Sequence, residues 1–240
     1  MTELDGQVII VTGGSRGIGE AIASLLAREG ATVVIVARDA AASQAVAGRI
    51  SDEDGCALAV PTDVRKEGQV ERLVATVLEQ FGRVDGLVNA AGAGQLASLP
   101  ETTLEIWQRH LDVNLTGTFL CCRAVWAPMA EQGWGYILNV TSSAVNEPHA
   151  GWSAYLASKA GVVALTGCLA KEGYPLGIRV NGLLPGATAT VMRAANFPTE
   201  DTSELLTPEE VAAVTPMFFT SAAKNLFGVQ LEVRKRPRGM

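Results

Sequence analysis

Val8-Ile9-Ile10-Val11-Thr12-Gly13-Gly14-Ser15-Arg16-Gly17-Ile18-Gly19 runs a β-branched strand into a glycine-rich turn and on into a helix. Glycines let a backbone turn tightly and approach a bound anion, whose charge is met by free N–H groups at a helix start. The Gly-x3-Gly-x-Gly spacing directly after an N-terminal strand points to a pyrophosphate; a glycine-rich turn without ligand is the plain alternative. Outward from this stretch the alternation repeats. A helix is expected from about Ile18 to Arg28 with Gly30 as its stop, then a strand over Thr32 to Val36 and a helix over Ala40 to Ile50. Ala57 to Val60 reads as a third strand, Lys66 to Gln80 as a helix with Val70, Leu73, Val74 and Val77 on one face, and Gly86 to Asn89 as a fourth strand. A long helical region follows from about Thr103 to Met129, then strand Ile137 to Val140 and helix Ala154 to Lys171. Arg179 to Leu184 and Val229 to Val233 complete the set of strands.

Apolar strands separated by helices predict an α/β fold: one domain over 1–240, a doubly wound parallel sheet (a Rossmann fold) of about seven strands with helices on both faces. Ligands then bind at the carboxyl ends of the strands, and every motif below falls on that rim. Residues 189–207 are the least regular and suit a flap over the site. The apolar share of 48% against 18% charged is enough for a large core and argues against disorder. A net charge of −6 argues against a nucleic-acid partner. Runs such as Val8 to Val11 fall far short of the roughly 20 residues that span a membrane, and the first residues carry neither a basic patch nor an apolar signal core. The expectation is a soluble, cytoplasmic protein. Four cysteines and two histidines form no ligand spacing, so no metal is expected.

The second strand ends Val36-Ala37-Arg38-Asp39. A carboxylate at that tip would bind the ribose hydroxyls of NAD, whereas Arg38 with Arg16 suits the 2′-phosphate of NADP. NADP(H) is therefore preferred over NAD(H); the alternative leaves Arg38 solvated and gives the ribose to Asp39. Asp63 is placed to accept from adenine or to cap the following helix, and Asn89-Ala90-Ala91-Gly92 closes the fourth strand with small residues.

Tyr155 and Lys159, four apart on one helical face, carry the chemistry. A phenol titrates near 10 in water, and a neighbouring ammonium lowers that value, making Tyr155 a proton donor and acceptor for a carbonyl or alcohol oxygen. Ser142 ends the fifth strand and would hold the same oxygen. Asn114 is a polar side chain inside the long helix that needs a hydrogen-bonding reason.

With these motifs in this order, the sequence resembles a classical short-chain dehydrogenase/reductase over about residues 5–233, closest in pattern to the 3-oxoacyl-(acyl-carrier-protein) reductases. Thr12 to Gly19, Asn89 to Gly92, the tetrad Asn114, Ser142, Tyr155 and Lys159, and Arg179-Val180-Asn181 with Pro185, Gly186 and Thr190 match the family's segments. The resemblance implies Tyr155 as acid/base, Lys159 lowering its pKa and holding the nicotinamide ribose, Ser142 orienting substrate and Asn114 holding a relay water. It implies cofactor contacts from Gly13, Ser15, Arg16, Gly17, Ile18 and Gly19, from Arg38, Asp63, Val64, Asn89, Ala90 and Gly92, and from Tyr155, Lys159, Pro185, Gly186 and Thr190. It also implies a homodimer or homotetramer built on the two long helices.

The substrate is expected between the loop after Ser142 and the flap, against Ala144, His149, Trp152 and Met192, with Ala93, Gly94, Ala187 and Phe197 as further walls. Aromatic and sulfur members suit a small apolar or cyclic carbonyl. The first alternative is a 3-oxoacyl-thioester reductase. Against it, 131–136 carries no basic residue, Leu176 stands before Gly177, and the chain is acidic. A non-catalytic dinucleotide sensor is a further alternative, disfavoured because the whole tetrad is present. In place of the family's frequent Asp-Gly-Gly after the last strand stands a basic end, 234–240, which departs from the usual C-terminal packing and whose plain alternative is a frayed, solvated terminus.

Overall fold

The computed structural model describes residues 2–235. Strands β1 (Val8–Thr12), β2 (Thr32–Val36), β3 (Cys56–Ala59), β4 (Gly86–Asn89), β5 (Gly135–Val140), β6 (Ile178–Pro185) and β7 (Gln230–Val233) form one sheet, in the order β3-β2-β1-β4-β5-β6-β7. Every neighbouring pair is parallel. Chain order reverses between β1 and β4, which opens a crevice at the carboxyl ends of those two strands. The helices are α1 (Gly17–Arg28), α2 (Ala40–Asp52), α3 (Glu67–Phe81), α4 (Leu104–His110), α5 (Gly117–Gln132), α6 (Ser153–Gly173), α7 (Val191–Asn196) and α8 (Pro208–Ala212).

Two cores lie on opposite faces of the sheet, and strand alternation decides which residue joins which. Ile9, Val11, Val33 and Ile35 pack with Ile22 and Leu26 of α1 and with Val211 of α8. Their neighbours Val8, Ile10, Val34 and Val36 pack with Val70, Leu73 and Val77 of α3 and with Leu120 and Val125 of α5. Strands buried on both faces read as unbroken apolar runs, which is why they were visible in the sequence.

The expected long helix is continuous but not uniformly α. Between α4 and α5 lies a π-helical stretch, Leu111–Thr116, with Asn114 buried inside it. The Asn114 carbonyl accepts the Thr118 hydroxyl at 2.7 Å. Such stretches often mark functional sites and carry no residue-type signature.

Two expectations need correction. Residues Ser153–Leu176, α6 and the turn after it, are long and apolar enough to cross a membrane, with mean hydropathy 1.3, although the sequence reading found no such run. In the fold α6 buries Ser158, Lys159 and Thr166 among its apolar residues and turns Ala157, Ala160, Ala164 and Cys168 outward. The basic end is also not simply frayed where it is described. Arg234 pairs with Glu147 and Glu232, and Lys235 lies 3.2 Å from Glu210. Arg236 to Met240 lie outside the described residues.

Candidate active site

The glycine turn folds back on the tip of β2, where Gly13 and Gly14 donate to the Val36 carbonyl at 2.8 and 3.3 Å. At Gly13 (φ +69°) an added Cβ would lie 2.7 Å from Ala91 N, so any side chain would collide with the Asn89–Gly92 turn. Gly17, also left-handed at φ +57°, looks across the cleft at Thr190, whose Cγ2 would be 3.4 Å from an added Cβ. No side chain caps the start of α1, so its first N–H groups meet no side-chain acceptor.

Beside this turn, Arg16 and Arg38 are exposed and enter no ion pair among the described residues. Asp39 accepts the Ala42 N–H at 3.0 Å as the N-cap of α2. Asp63 neither caps α3 nor stands alone. Both its oxygens are gripped by Arg65 at 2.6 to 3.1 Å, which holds its carboxyl below the usual range. Val64 is buried against Gly117, and Asn89 bridges to Asn139 at 2.9 Å and to the Cys122 thiol. Burial pushes the Cys122 thiol up to about 12 and leaves it inert.

At the other end a cleft of about 680 Å³ is lined by Ile18, Ser142, Ala144, His149, Trp152, Tyr155, Pro185, Gly186, Thr190, Met192 and Phe197. Tyr155 and Lys159 rise from one face of α6, and Ser142 follows β5. The Trp152 ring sits 4.8 Å from the Tyr155 ring and 6.0 Å from Phe197, forming a continuous aromatic wall. Asn114 stands behind the cleft rather than in it. Its Oδ1 accepts Ala93 N–H at 2.7 Å, and its Nδ2 donates to Ala93 O and to Ser158 Oγ at 2.9 and 2.8 Å. The carboxamide thus ties the 93–96 loop to α6.

The electrostatics differ from the expected ammonium–phenol pairing. Lys159 donates to the Val140 carbonyl at 2.8 Å and lies 6.0 Å from the Tyr155 ring centre. Burial pushes the Tyr155 phenol up, opposed by the Ser142 hydroxyl and the Arg193 guanidinium. Burial likewise pushes Lys159 down to about 8. Desolvation outweighs the opposing contacts at Tyr155 and is the cause of the shift at Lys159.

Several groups here escaped sequence reasoning. Arg193 stacks 3.8 Å over Phe197 and pairs with Glu200, and Glu147, Arg234 and Lys235 form the cleft rim. His110 is buried against the edge of Tyr155. Charged residues on a loop or after the last strand have no periodicity to betray them; only the fold brings them to the cleft.

The profile of the short chain dehydrogenases matches residues 7–201. The chain belongs to that family. This short chain dehydrogenase is 40% identical over 230 residues to the 3-oxoacyl-[acyl-carrier-protein] reductase of Synechocystis sp., covering 93% of each chain. It is 36% identical to the D-threitol dehydrogenase of Mycolicibacterium smegmatis, covering 96% of this chain and 92% of the other. The crystal structure of the 3-ketoacyl-(acyl-carrier-protein) reductase from Brucella melitensis, complexed with NADH, superposes with a TM-score of 0.90 at 35% identity, covering 97% of this chain and 98% of that one. The protein is an oxidoreductase of a family that binds a nicotinamide dinucleotide. The residues present fit such a cofactor. At Gly13 a Cβ would lie 2.7 Å from Ala91 N, so the turn is a cradle that a side chain would fill, and the first N–H groups of α1 beside it meet no side-chain acceptor.

Proposed function

We propose that this enzyme interconverts a carbonyl and a secondary alcohol on a small apolar or cyclic substrate, with NADP(H) preferred over NAD(H). The glycine turn with Ser15, Ile18 and Gly19 would hold the pyrophosphate, Arg16 and Arg38 the 2′-phosphate, Asp63, Val64, Asn89, Ala90 and Gly92 the adenosine, and Tyr155, Lys159, Pro185, Gly186 and Thr190 the nicotinamide half. Arg16 and Arg38, exposed beside the glycine turn and in no ion pair among the described residues, support NADP(H), because two free guanidinium groups suit a phosphate dianion. Bound in this way, the cofactor would give or take the hydride.

The observation that carries the reading is the Tyr155 phenol lining the cleft with Ser142 beside it and Lys159 buried behind. Tyr155 gives its proton to the carbonyl oxygen during reduction, and Ser142 holds that oxygen by a second hydrogen bond. Its upward-shifted pKa keeps the phenol protonated, which suits reduction at neutral pH; oxidation needs the phenolate and gains from alkaline conditions. The Trp152–Phe197 wall supports a flat or cyclic substrate body. The outward face of α6, with Ala157, Ala160 and Ala164, and exposed Phe119 on α5 support a homo-oligomer joined by these helices.

A 3-oxoacyl-thioester reductase is the second reading, favoured by the names of the Synechocystis and Brucella relatives. The test is a carbonyl panel of acyl thioesters, cyclic ketones, quinones and keto sugars, assayed with NADPH and with NADH. Cyclic ketones turned over with NADPH are expected, and a response to acyl thioesters alone favours the second reading. Tyr155→Phe should cut turnover by about 10²–10⁴ while NADPH still binds; retained turnover removes Tyr155 from the mechanism.

A further inference from the structure

We propose that His110 is a positioning residue, whose neutral imidazole with its proton on Nδ1 holds the 93–96 loop against Tyr155 by accepting the Gln95 N–H. His110 ends α4, is fully buried, and reaches two backbone groups: Nδ1 lies 2.7 Å from Ile106 O and Nε2 3.1 Å from Gln95 N. A carbonyl only accepts and an amide N–H only donates, so both partners demand the same tautomer. The ring meets Tyr155 edge-on with centres 6.3 Å apart. The loop passes one side-chain layer from the phenol ring, where a Cβ added at Gly94 would meet Tyr155 Cδ2 at 3.6 Å.

This loop has no regular structure, and side chains from three places hold its backbone. Asn114 takes Ala93 on both sides, His110 takes Gln95, and Asn196 of α7 takes Leu96 N–H at 2.8 Å and Gly94 O at 3.2 Å. His110 thus supports the surface on which the flap is anchored as well as the wall beside the catalytic phenol. A proton added to Nε2 would set donor against donor and break the Gln95 bond. Burial also drives the imidazole below the ordinary histidine range. The charged and titratable groups around it are Arg109 on its own helix, which opposes a second positive charge, and Tyr155 and Lys159 on α6, the ammonium being turned to Val140. On the flap, Arg193 is paired with Glu200, and residues 93–96 add only uncharged groups.

The spectroscopic arm of the test needs no substrate. With two histidines in the chain, long-range ¹H–¹⁵N spectra of the cofactor-free protein resolve both, and His149→Asn assigns them. His110 is expected as a single Nδ1–H tautomer at pH 7, titrating below the ordinary value of about 6.5. An Nε2–H tautomer, a mixture, or an ordinary titration overturns the proposal. The kinetic arm rests on the carbonyl–alcohol reading. His110→Phe keeps the bulk and leaves the Gln95 N–H without an acceptor, so substrate KM should rise about tenfold with a smaller fall in kcat. His110→Gln returns an acceptor that does not titrate; it should recover most of that loss and remove the acid limb of kcat/KM. Equal losses in the two variants, or an acid limb kept in His110→Gln, overturn the proposal even if His110→Phe does not fold. If no carbonyl is turned over by the wild type, the functional reading fails while the spectroscopic arm still decides the role of His110.

Discussion

The two ends of the cleft treat polar groups in opposite ways. Around the glycine turn, Arg16 and Arg38 stand in solvent without ion pairs among the described residues, and the start of α1 has no side-chain cap there. Around Tyr155 almost every polar group is already engaged: Lys159 with Val140 O, Asn114 with Ala93 and Ser158, Ser158 with Tyr155 O. A binding end keeps donors in water, where an unpaired charge is cheap and a ligand phosphate later replaces the solvent. A reacting end must fix its groups in advance, because reorganising them during the reaction would raise the barrier. The contrast therefore predicts ligand-dependent effects at one end and stability effects at the other.

Lys159 gives the largest of these effects. Its ammonium is buried, and a shift from the ordinary 10.5 to about 8 corresponds to about 3 kcal/mol against the folded state at neutral pH. The penalty is full below pH 8, where the folded protein must keep the charge, and fades as pH rises towards 10.5, where the unfolded chain also loses its proton. Lys159→Met removes it and forfeits the charge-assisted bond to Val140 O, worth about 1.5–3 kcal/mol. The variant should lose turnover by about 10² or more and yet be as stable as the wild type or up to about 1.5 kcal/mol more stable in urea unfolding at pH 7, with any gain shrinking at pH 10. A less stable variant at pH 7 would mean that the fold compensates the buried charge, and the contrast between the two ends would break.

The fold was legible because its inner strands are buried on both faces: Thr32–Val36 and Gly86–Asn89 match their expected limits, and the other strand ends move by a residue or two. The tetrad residues were readable as residue types at fixed spacings. What they touch was not. The π-helical stretch around Asn114, the turning of Lys159 towards Val140, and the grip of Arg65 on Asp63 depend on backbone paths that sequence spacing does not encode. His110 was hidden for a related reason: one buried histidine on an otherwise ordinary helical face looks the same whether or not a distant amide meets it.

The next effect tests the solvent-exposed end. Arg38→Ala should weaken NADPH binding about tenfold or more, the scale of a lost charge-assisted hydrogen bond to phosphate, and leave NADH binding nearly unchanged. Isothermal titration of both cofactors measures this without any substrate. Equal losses for the two would place Arg38 on a group that they share and return the ribose question to Asp39. Raising the salt should erode the NADPH advantage, since exposed guanidinium groups are screened by mobile ions.

The smallest effect lies on the rim between the two ends. Arg234 ties the end of β7 to Glu147 in the segment after Ser142, at 2.9 Å, and also meets Glu232. All three are at least partly solvated, so the bridge should position its segment only weakly. Arg234→Ala is expected to raise substrate KM about two- to threefold at low salt with kcat nearly unchanged, and the difference should vanish at about 0.5 M salt as screening dissolves the wild-type bridge. A loss beyond tenfold, or one that persists at high salt, would mean that Arg234 meets the substrate itself; the rim would then belong with the binding end, and the substrate would carry an anionic group.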